Sequence, residues 1–357
     1  MKKRVSSTIE TLPKYMQKPV YKTLNTMNVI RLTFFRGFCF ILGHAFRLFP
    51  LKKNKLVVVN YYGLGYGDNA KPIVDAVLEH TDALKIVWLI DPKRESTLDN
   101  MPPSIKIVKY GSCQALYELA TAKVWLDNSR KFFVPKKRKG QYYMQTWHAG
   151  ITLKKVEKDA QDVLNKHYVT HAKNDALNTD VMLSNSVFTD RLYLESFWYD
   201  GDLLTYGTPR CDVLMHDQPE IMQNVKTFYG LSKTTKLLLY APTFRNHHDV
   251  SVYHLDYNAL LNTLNENEEG NPWVILIRLH PNAVESAQQI EYTDKILNAT
   301  EYPDMYELLK TAEILLTDYS GTMFEHAIMH KPVLLYCPDI EAYDKERGFY
   351  FDLKELP

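Results

Sequence analysis

Apolar, strand-like runs alternate with helical stretches along this chain from about residue 55 onward. The strand-like runs are residues 56–61, 85–90, 105–109, 123–126, 142–147, 181–183, 203–205, 236–241, 273–279, 313–317 and 332–336. Helical patterns lie between them, for example at residues 69–80 and 187–198. Strands that alternate with helices predict parallel sheets covered by helices on both faces. We therefore predict an α/β fold of two Rossmann-like domains that face each other across a cleft.

The length of 357 residues suits two domains of ordinary size. A polar stretch with glycine and proline, residues 199–210, marks the predicted boundary between them. We predict a first domain at residues 55–205 and a second at residues 206–357, preceded by a separate arm at residues 1–54.

Four polar side chains follow predicted strands at once, namely His148, Arg245, His280 and Ser320. Ligands of such sheets bind outside the carboxyl ends of the strands. Two facing sheets would therefore bring all four side chains into one cleft, although they are far apart in sequence.

His148 ends the strand-like segment 142–147 and is followed by Ala149 and Gly150. Histidine is suited to proton transfer near neutral pH, and a glycine lets another molecule approach the backbone. The pattern indicates a catalytic histidine. The alternative is a histidine that is hydrogen-bonded within a core.

A polar turn, Ser320-Gly321-Thr322, joins a buried strand to an amphipathic helical stretch. Unpaired N–H groups and a partial positive charge at a helix start favour phosphate. The alternative is an ordinary helix cap in which Ser320 or Thr322 bonds the backbone.

Arg245 and His280 each lie at a predicted strand end. The forked guanidinium of Arg245 suits phosphate, and Pro281 fixes His280 at the strand tip, where it can bond a phosphate or a leaving group. The alternatives are a surface arginine and a turn residue.

The turn at residues 63–69 is rich in glycine but lacks the spacing of a dinucleotide-binding loop. A tight turn in which Asp68 caps the next helix is the favoured interpretation. The sequence shows no serine-hydrolase elbow, Walker loop or metal-ligand spacing, so we predict no metal.

The N-terminal arm is strongly basic. Residues 1–55 carry 12 Lys or Arg and one acid, Glu10, whereas the other 302 residues carry 31 basic and 41 acidic side chains. Its longest stretch without Lys or Arg, residues 37–46, is half of the roughly 20 residues that span a bilayer. This pattern predicts an amphipathic anchor on an anionic membrane surface. The alternatives are a helix packed on the body and a nucleic-acid-binding arm, but the Phe and Leu content exceeds what phosphate binding needs.

The four cysteines, Cys39, Cys113, Cys211 and Cys337, have neither disulfide-framework nor metal-ligand spacing. This predicts a reducing, cytoplasmic location.

Five ordered motifs resemble those of the CDP-glycerol glycerophosphotransferase family, the teichoic acid primases and polymerases. The motifs are residues 145–148 with Lys154 and Lys155, and residues 240–245, 278–281, 317–324 and 347–350. The resemblance covers most of residues 55–357 and implies a glycosyltransferase type B fold, with an acceptor domain followed by a donor domain. It also implies an enzyme that is peripheral to the cytoplasmic face of the cell membrane.

The family's chemistry implies roles for individual residues. A membrane-linked hydroxyl, with His148 as general base, would attack the β-phosphorus of CDP-glycerol and expel CMP, without a further cofactor. His280 and the 320–322 turn would hold the donor pyrophosphate. The remaining implied donor-side residues are Arg245, Arg278, Asp318 and Glu325, with Glu325 near the ribose or cytosine; the implied acceptor-side residues are Lys154, Lys155, Asp68 and Asn69.

The sequence departs from the family pattern in two places. Residues 149–154 are one residue longer than the Gly-Thr-Pro-Leu-Lys pattern that follows the Trp-His pair, which affects acceptor preference. The resemblance also implies a C-terminal segment that crosses back to the first domain, beyond the end of this sequence. Two other functions stay open on the residues alone, a nucleotide-sugar glycosyltransferase of the same fold and a non-catalytic membrane-associated module.

Overall fold

The computed structural model describes residues 37–93, 101–131, 135–245, 253, 255–266, 272–280, 283 and 290–356. Most of the predicted arm, residues 1–36, lies outside this part of the chain.

A seven-stranded parallel sheet organises the first half of the chain. Its strands are β1 (Lys52–Val59), β2 (Lys85–Ile90), β3 (Lys106–Lys109), β4 (Ala122–Asp127), β5 (Tyr142–Gln145), β6 (Val181–Ser184) and β7 (Asp202–Thr205). They lie in the order β3-β2-β1-β4-β5-β6-β7, so the strand order reverses between β1 and β4.

A five-stranded parallel sheet organises the second half. Its strands are β8 (Lys236–Tyr240), β9 (Trp273–Ile277), β10 (Ile296–Asn298), β11 (Ile314–Thr317) and β12 (Val333–Leu335). The order β10-β9-β8-β11-β12 reverses between β8 and β11. The predicted α/β fold of two Rossmann-like domains is thereby confirmed.

Helices cover both faces of the two sheets. The helices are α1 (Ala70–His80), α2 (Cys113–Thr121), α3 (Lys166–Ala176), α4 (Val187–Ser196), α5 (Asp212–Met215), α6 (Pro219–Phe228), α7 (Tyr257–Asn265), α8 (Met305–Thr311), α9 (Thr322–Ala327) and α10 (Ile340–Arg347). A further helix precedes β1, and its described part is residues 37–46. Each sheet has an apolar core on both faces. This explains why strands such as β9 are buried at every position, since both faces pack against helices.

Three local predictions differ from the structure. Strand β1 begins at Lys52, three residues before the predicted start of the first domain. The short strand β10 was not predicted, because three residues between polar turns give too little pattern to read. The predicted strand 142–147 ends at Gln145, because Trp147 has a φ of 53°, in the left-handed region.

The C-terminal segment returns to the first domain. The Lys155 amide donates to the Gly348 carbonyl at 3.0 Å, and the Tyr350 amide donates to the Leu153 carbonyl at 2.8 Å. Leu153 also packs in a buried cluster with Tyr319 and neighbouring side chains of the second domain. The family resemblance implied that a segment beyond the end of this sequence crosses back to the first domain. In the structure, residues 348–350 already make this crossing.

The N-terminal helix is attached to the first domain by aromatic contacts. The rings of Phe46 and Phe49 contact the edge or face of Tyr117 at centroid distances of 5.6 and 5.4 Å. The C-terminal end of this helix is therefore packed on the first domain, as the second interpretation predicted. Farther along the helix, Phe40 and Ile41 remain 67 % exposed. Within the described ranges, no helix combines the length and the apolar character needed to cross a bilayer.

Candidate active site

A cavity of about 540 Å³ lies between the two domains, at the carboxyl ends of both sheets. On the first domain its wall includes Tyr61 after β1 and His148 after β5; on the second it includes Thr243 after β8 and Ser320 after β11. Both points of strand-order reversal therefore face the same space, the position where open α/β sheets bind ligands.

The imidazole of His148 is held in a defined orientation. Its Nδ1 lies 2.7 Å from the Asn128 carbonyl oxygen, which can only accept, so Nδ1 carries the proton and Nε2 is left as an acceptor. The ring stacks on Trp147 at a centroid distance of 4.2 Å. Burial lowers the pKa of His148 to about 4, so the imidazole is neutral at neutral pH and able to accept a proton.

Asn128 is a residue of this site that the sequence reading missed. It belongs to the polar run Asp127-Asn128-Ser129-Arg130 at the end of β4. A polar run directly after an apolar strand was the available signal. The carbonyl of Asn128 fixes the tautomer of His148, so the run supports the base through its backbone.

The second domain contributes His280 and the turn 320–322 to the opposite wall of the cavity. The Ser320 hydroxyl accepts from the Thr322 amide at 3.3 Å and from the Thr322 hydroxyl at 2.9 Å. The Ser320 hydroxyl therefore bonds the backbone of the turn, but α9 has no side-chain cap. Burial, followed by the nearby Lys154 ammonium, lowers the pKa of His280.

Gly321 lies against the first domain. A Cβ at this position would sit 3.0 Å from the Ile151 carbonyl oxygen. The glycine therefore allows the turn 320–322 to approach the loop that follows His148, which is the loop that departs from the family pattern by one residue.

Cationic side chains outnumber acidic ones in the cavity wall. Lys154, Arg278 and Arg347 line it together with Glu346. The Arg278 guanidinium donates to the carbonyls of Ala299 and Tyr302, which leaves its charge uncompensated by those partners. The buried Nε of Arg347 has no hydrogen-bond partner within the described structure. These features suit an anionic ligand with several oxygens.

Lys154 is held close to titration by its surroundings. Burial and the nearby charge of Arg347 lower its pKa to about 8. The approach of an anion would favour its charged form. Lys155, by contrast, is exposed and lies outside the cavity, with its aliphatic stem against Gly348.

Arg245 lines the cavity, but its charge is already neutralised by two carboxylates. Its Nε lies 2.8 Å from Asp339 and its Nη1 lies 2.9 Å from Asp318. Its guanidinium also lies 4.9 and 4.8 Å from the ring centroids of Tyr319 and Tyr343, which stack on each other at 4.0 Å. Asp318 does not line the cavity and is engaged by Arg245 and by the Thr243 amide. Arg245 and Asp318, both predicted to bind the donor, thus form an ion pair with each other inside the second domain.

Glu325 and the acceptor-side pair Asp68 and Asn69 also lie outside the cavity wall. The expected capping role of Asp68 is wrong: the structure shows no side-chain cap on α1. Asp68 instead accepts from the Asn69 amide at 2.7 Å and pairs with Arg210 at 2.8 Å. Glu325 pairs with the other arm of Arg210, at 2.6 Å.

A second cavity of about 470 Å³ adjoins the first. Tyr61, Arg278 and Met305 line both. Asp68, Tyr66 and Tyr302 are among the residues that line only the second. The interdomain cleft therefore extends beyond the cavity that His148 lines. Across the described residues, no cluster of three His, Cys, Asp or Glu side chains is arranged to hold a metal ion.

The sequence model of a protein family matches residues 42–357; the family is described as CDP-Glycerol:Poly(glycerophosphate) glycerophosphotransferase. The teichoic acid poly(glycerol phosphate) polymerase of Bacillus spizizenii is 29% identical over 319 residues, covering 86% of this chain and 80% of that protein. The polymerase of the same name from Bacillus subtilis is 28% identical over 100% of this chain, which spans 46% of its length.

A solved structure of a variant of the wall teichoic acid polymerase TagF, soaked with CDPG, is similar in fold and sequence. It superposes with a TM-score of 0.77 at 26% identity, covering 95% of this chain and 84% of that chain.

Proposed function

The chain belongs to the CDP-glycerol:poly(glycerophosphate) glycerophosphotransferase family, and on this premise we propose that it transfers glycerol phosphate from CDP-glycerol to a hydroxyl of a teichoic acid-type acceptor. The observation that carries this proposal is one interdomain cavity to which both domains contribute polar side chains. It has a neutral, oriented His148 on one wall and His280 with the 320–322 turn on the other.

The orientation of His148 supports the following transfer step. Its Nε2 accepts the proton of the acceptor hydroxyl while the hydroxyl oxygen attacks the β-phosphorus of CDP-glycerol. The new bond joins that oxygen to the β-phosphorus, and the bond from the β-phosphorus to the bridging oxygen breaks. CMP leaves with the electron pair of the broken bond, and the glycerol phosphate unit remains on the acceptor.

The cationic wall supports charge neutralisation in this step. Phosphoryl transfer depends mainly on positioning and on groups that stabilise the phosphate oxygens. Lys154, Arg278 and Arg347 line the cavity with His280 and the 320–322 turn, and we assign these groups to the diphosphate. Arg245 is assigned a supporting role, because Asp318 and Asp339 already bind its guanidinium.

A donor assay tests the proposal. The purified protein is incubated with a short membrane-linked acceptor and, in parallel, with CDP-glycerol, CDP-ribitol or a UDP-sugar, and nucleotide release is measured. We expect CMP release with CDP-glycerol, and the same release in the presence of EDTA. Nucleotide release with a sugar nucleotide alone would overturn the assignment.

We further propose that the protein is held at an anionic membrane by its N-terminal region. The described part of that region exposes Phe38, Phe40, Ile41 and Leu48. The loop before β5 lies beside it, because Arg138 Nη1 donates to the Phe49 carbonyl at 2.7 Å. Exposed apolar side chains beside basic ones favour the surface of an anionic bilayer. We call this the basic-aromatic face; its basic members are Arg138 and Lys52, whose ammonium lies 5.3 Å from the centroid of the Tyr117 ring.

Introducing glutamate at exposed apolar positions on this face is expected to weaken vesicle binding. Phe40→Glu with Ile41→Glu removes apolar contact and adds repulsion, so we expect at least a tenfold loss of binding to vesicles containing anionic lipid, on the order of 1.4 kcal/mol. The matched control is Leu177→Glu, an exposed apolar residue 79 % accessible on another surface. Equal binding of both variants in a sedimentation assay would exclude this face as the membrane contact.

A further inference from the structure

Arg210 lies between the two domains and holds a carboxylate of each. Its Nη1 pairs with Asp68 of the first domain at 2.8 Å, and its Nη2 pairs with Glu325 of the second at 2.6 Å. The arginine itself is only 8 % exposed, and it follows the last strand of the first sheet by five residues. A buried guanidinium that bridges two carboxylates in this way fixes their relative position, because its fork is planar and rigid.

The first-domain arm of this bridge leads to the base. Asn69 accepts from the Arg210 amide at 3.2 Å, while its own side-chain nitrogen donates to the Trp147 carbonyl at 3.1 Å. Trp147 directly precedes His148 and stacks on its ring. One asparagine therefore joins Arg210 to the backbone that carries the base.

The second-domain arm leads to the donor side. Glu325 lies on α9, the same short helix that begins with the cavity-lining residue Thr322. Its second oxygen accepts from the Tyr306 hydroxyl at 2.6 Å, and the Tyr306 ring lies beneath the Arg210 guanidinium at 5.3 Å. Glu325 thus has both carboxylate oxygens committed within the protein.

We propose that Arg210 is a positioning residue that sets the distance between His148 and the donor-holding turn 320–322. This inference rests on the function proposed above and assigns Asp68, Asn69 and Glu325 to an interdomain clasp rather than to substrate contacts. The clasp consists of Asp68, Asn69, Arg210, Glu325 and Tyr306. When the clasp is broken, each domain keeps its own half of the site and the crossing at residues 348–350, but the mutual placement of the two halves is less tightly fixed.

Kinetics of clasp variants test the inference. A misplacement of about 1 Å costs on the order of 100-fold in rate, so we expect Arg210→Met to lower kcat about 100-fold while the KM for CDP-glycerol changes less than about threefold. Arg210→Lys is expected to recover only part of kcat, because a point charge cannot bridge both carboxylates in one plane. Arg191→Met, which removes an exposed arginine paired with Glu195, is the matched control.

A double-mutant cycle covers the case in which Arg210→Met does not fold. Asp68→Asn and Glu325→Gln each open one arm and leave Arg210 in place. Because the two carboxylates act through the same guanidinium, their effects on kcat are expected to be non-additive. Additive effects, or a loss of thermal stability with kcat intact, would overturn the clasp.

A distance measurement separates this inference from the proposed reaction. Spin labels on the exposed Cys113 of the first domain and on Leu334→Cys of the second, in a Cys337→Ser background, report the interdomain distance. We expect a broader distance distribution in Glu325→Gln than in the parent, whichever donor the enzyme uses. An unchanged distribution refutes the clasp, whereas broadening in a protein inactive on CDP-glycerol refutes only the proposed reaction.

Discussion

Replacement of His148 by Asn is expected to lower kcat by about 10²- to 10⁴-fold, the usual contribution of a positioned general base. The side chain that remains has no atom able to take a proton from a hydroxyl at neutral pH. CMP release from CDP-glycerol in the presence of acceptor measures the effect. His216→Asn, an exposed histidine outside the cavity, is the control.

The pH profile gives a second measure of the same residue. Burial lowers the pKa of His148 to about 4, so its neutral form, the one that accepts a proton, is present above that pH and is lost as the pH falls through it. We therefore expect kcat/KM to show no fall attributable to His148 near pH 6.5, the ordinary histidine pKa, and to fall only below about pH 5. Turnover of His148→Asn within tenfold of the parent would contradict the assignment.

Replacement of Arg245 by Met is expected to cost about 3–5 kcal/mol of unfolding free energy, the usual cost of removing one partner from a buried ion pair. The variant leaves Asp318, which is 2 % exposed, without its cation. Chemical denaturation measures the loss. Arg191→Met is the control, because its exposed pair contributes only about 0–1 kcal/mol.

A second variant identifies the cause of that loss. Adding Asp318→Asn to Arg245→Met removes the stranded charge, so we expect part of the stability to return. If Arg245→Met is instead as stable as the parent and raises the KM for CDP-glycerol, Arg245 binds the donor, as the sequence predicted.

The fold could be predicted because its signal is local. Each buried strand of a parallel sheet reads as a short apolar run, and a polar residue at the end of such a run lies at the carboxyl edge. His148, His280 and Ser320 were placed by this argument, and the cavity brings them together. Of the described strands only β10 was missed, because its three residues lie between polar turns and its apolar run is too short to recognise.

The partners of the charged residues could not be predicted in the same way. Arg210 and Asp68 are 142 residues apart, and they meet only because the second domain faces the first. The motif around residue 245 indicates a strand end but not whether its arginine points at a ligand or at Asp339. Such choices depend on tertiary packing, which no local pattern contains.

The basic-aromatic face lies at the amino ends of the first sheet, whereas the cavity lies at the carboxyl ends. The eight residues of β1, at about 3.3 Å each, separate these two ends by about 25 Å. With that face on the lipid and β1 perpendicular to the bilayer, the reacting hydroxyl would lie about 25 Å above the bilayer surface. An acceptor would then have to be long enough to span this distance from the bilayer to the cavity. This requirement favours the end of a growing polymer over a hydroxyl close to its lipid.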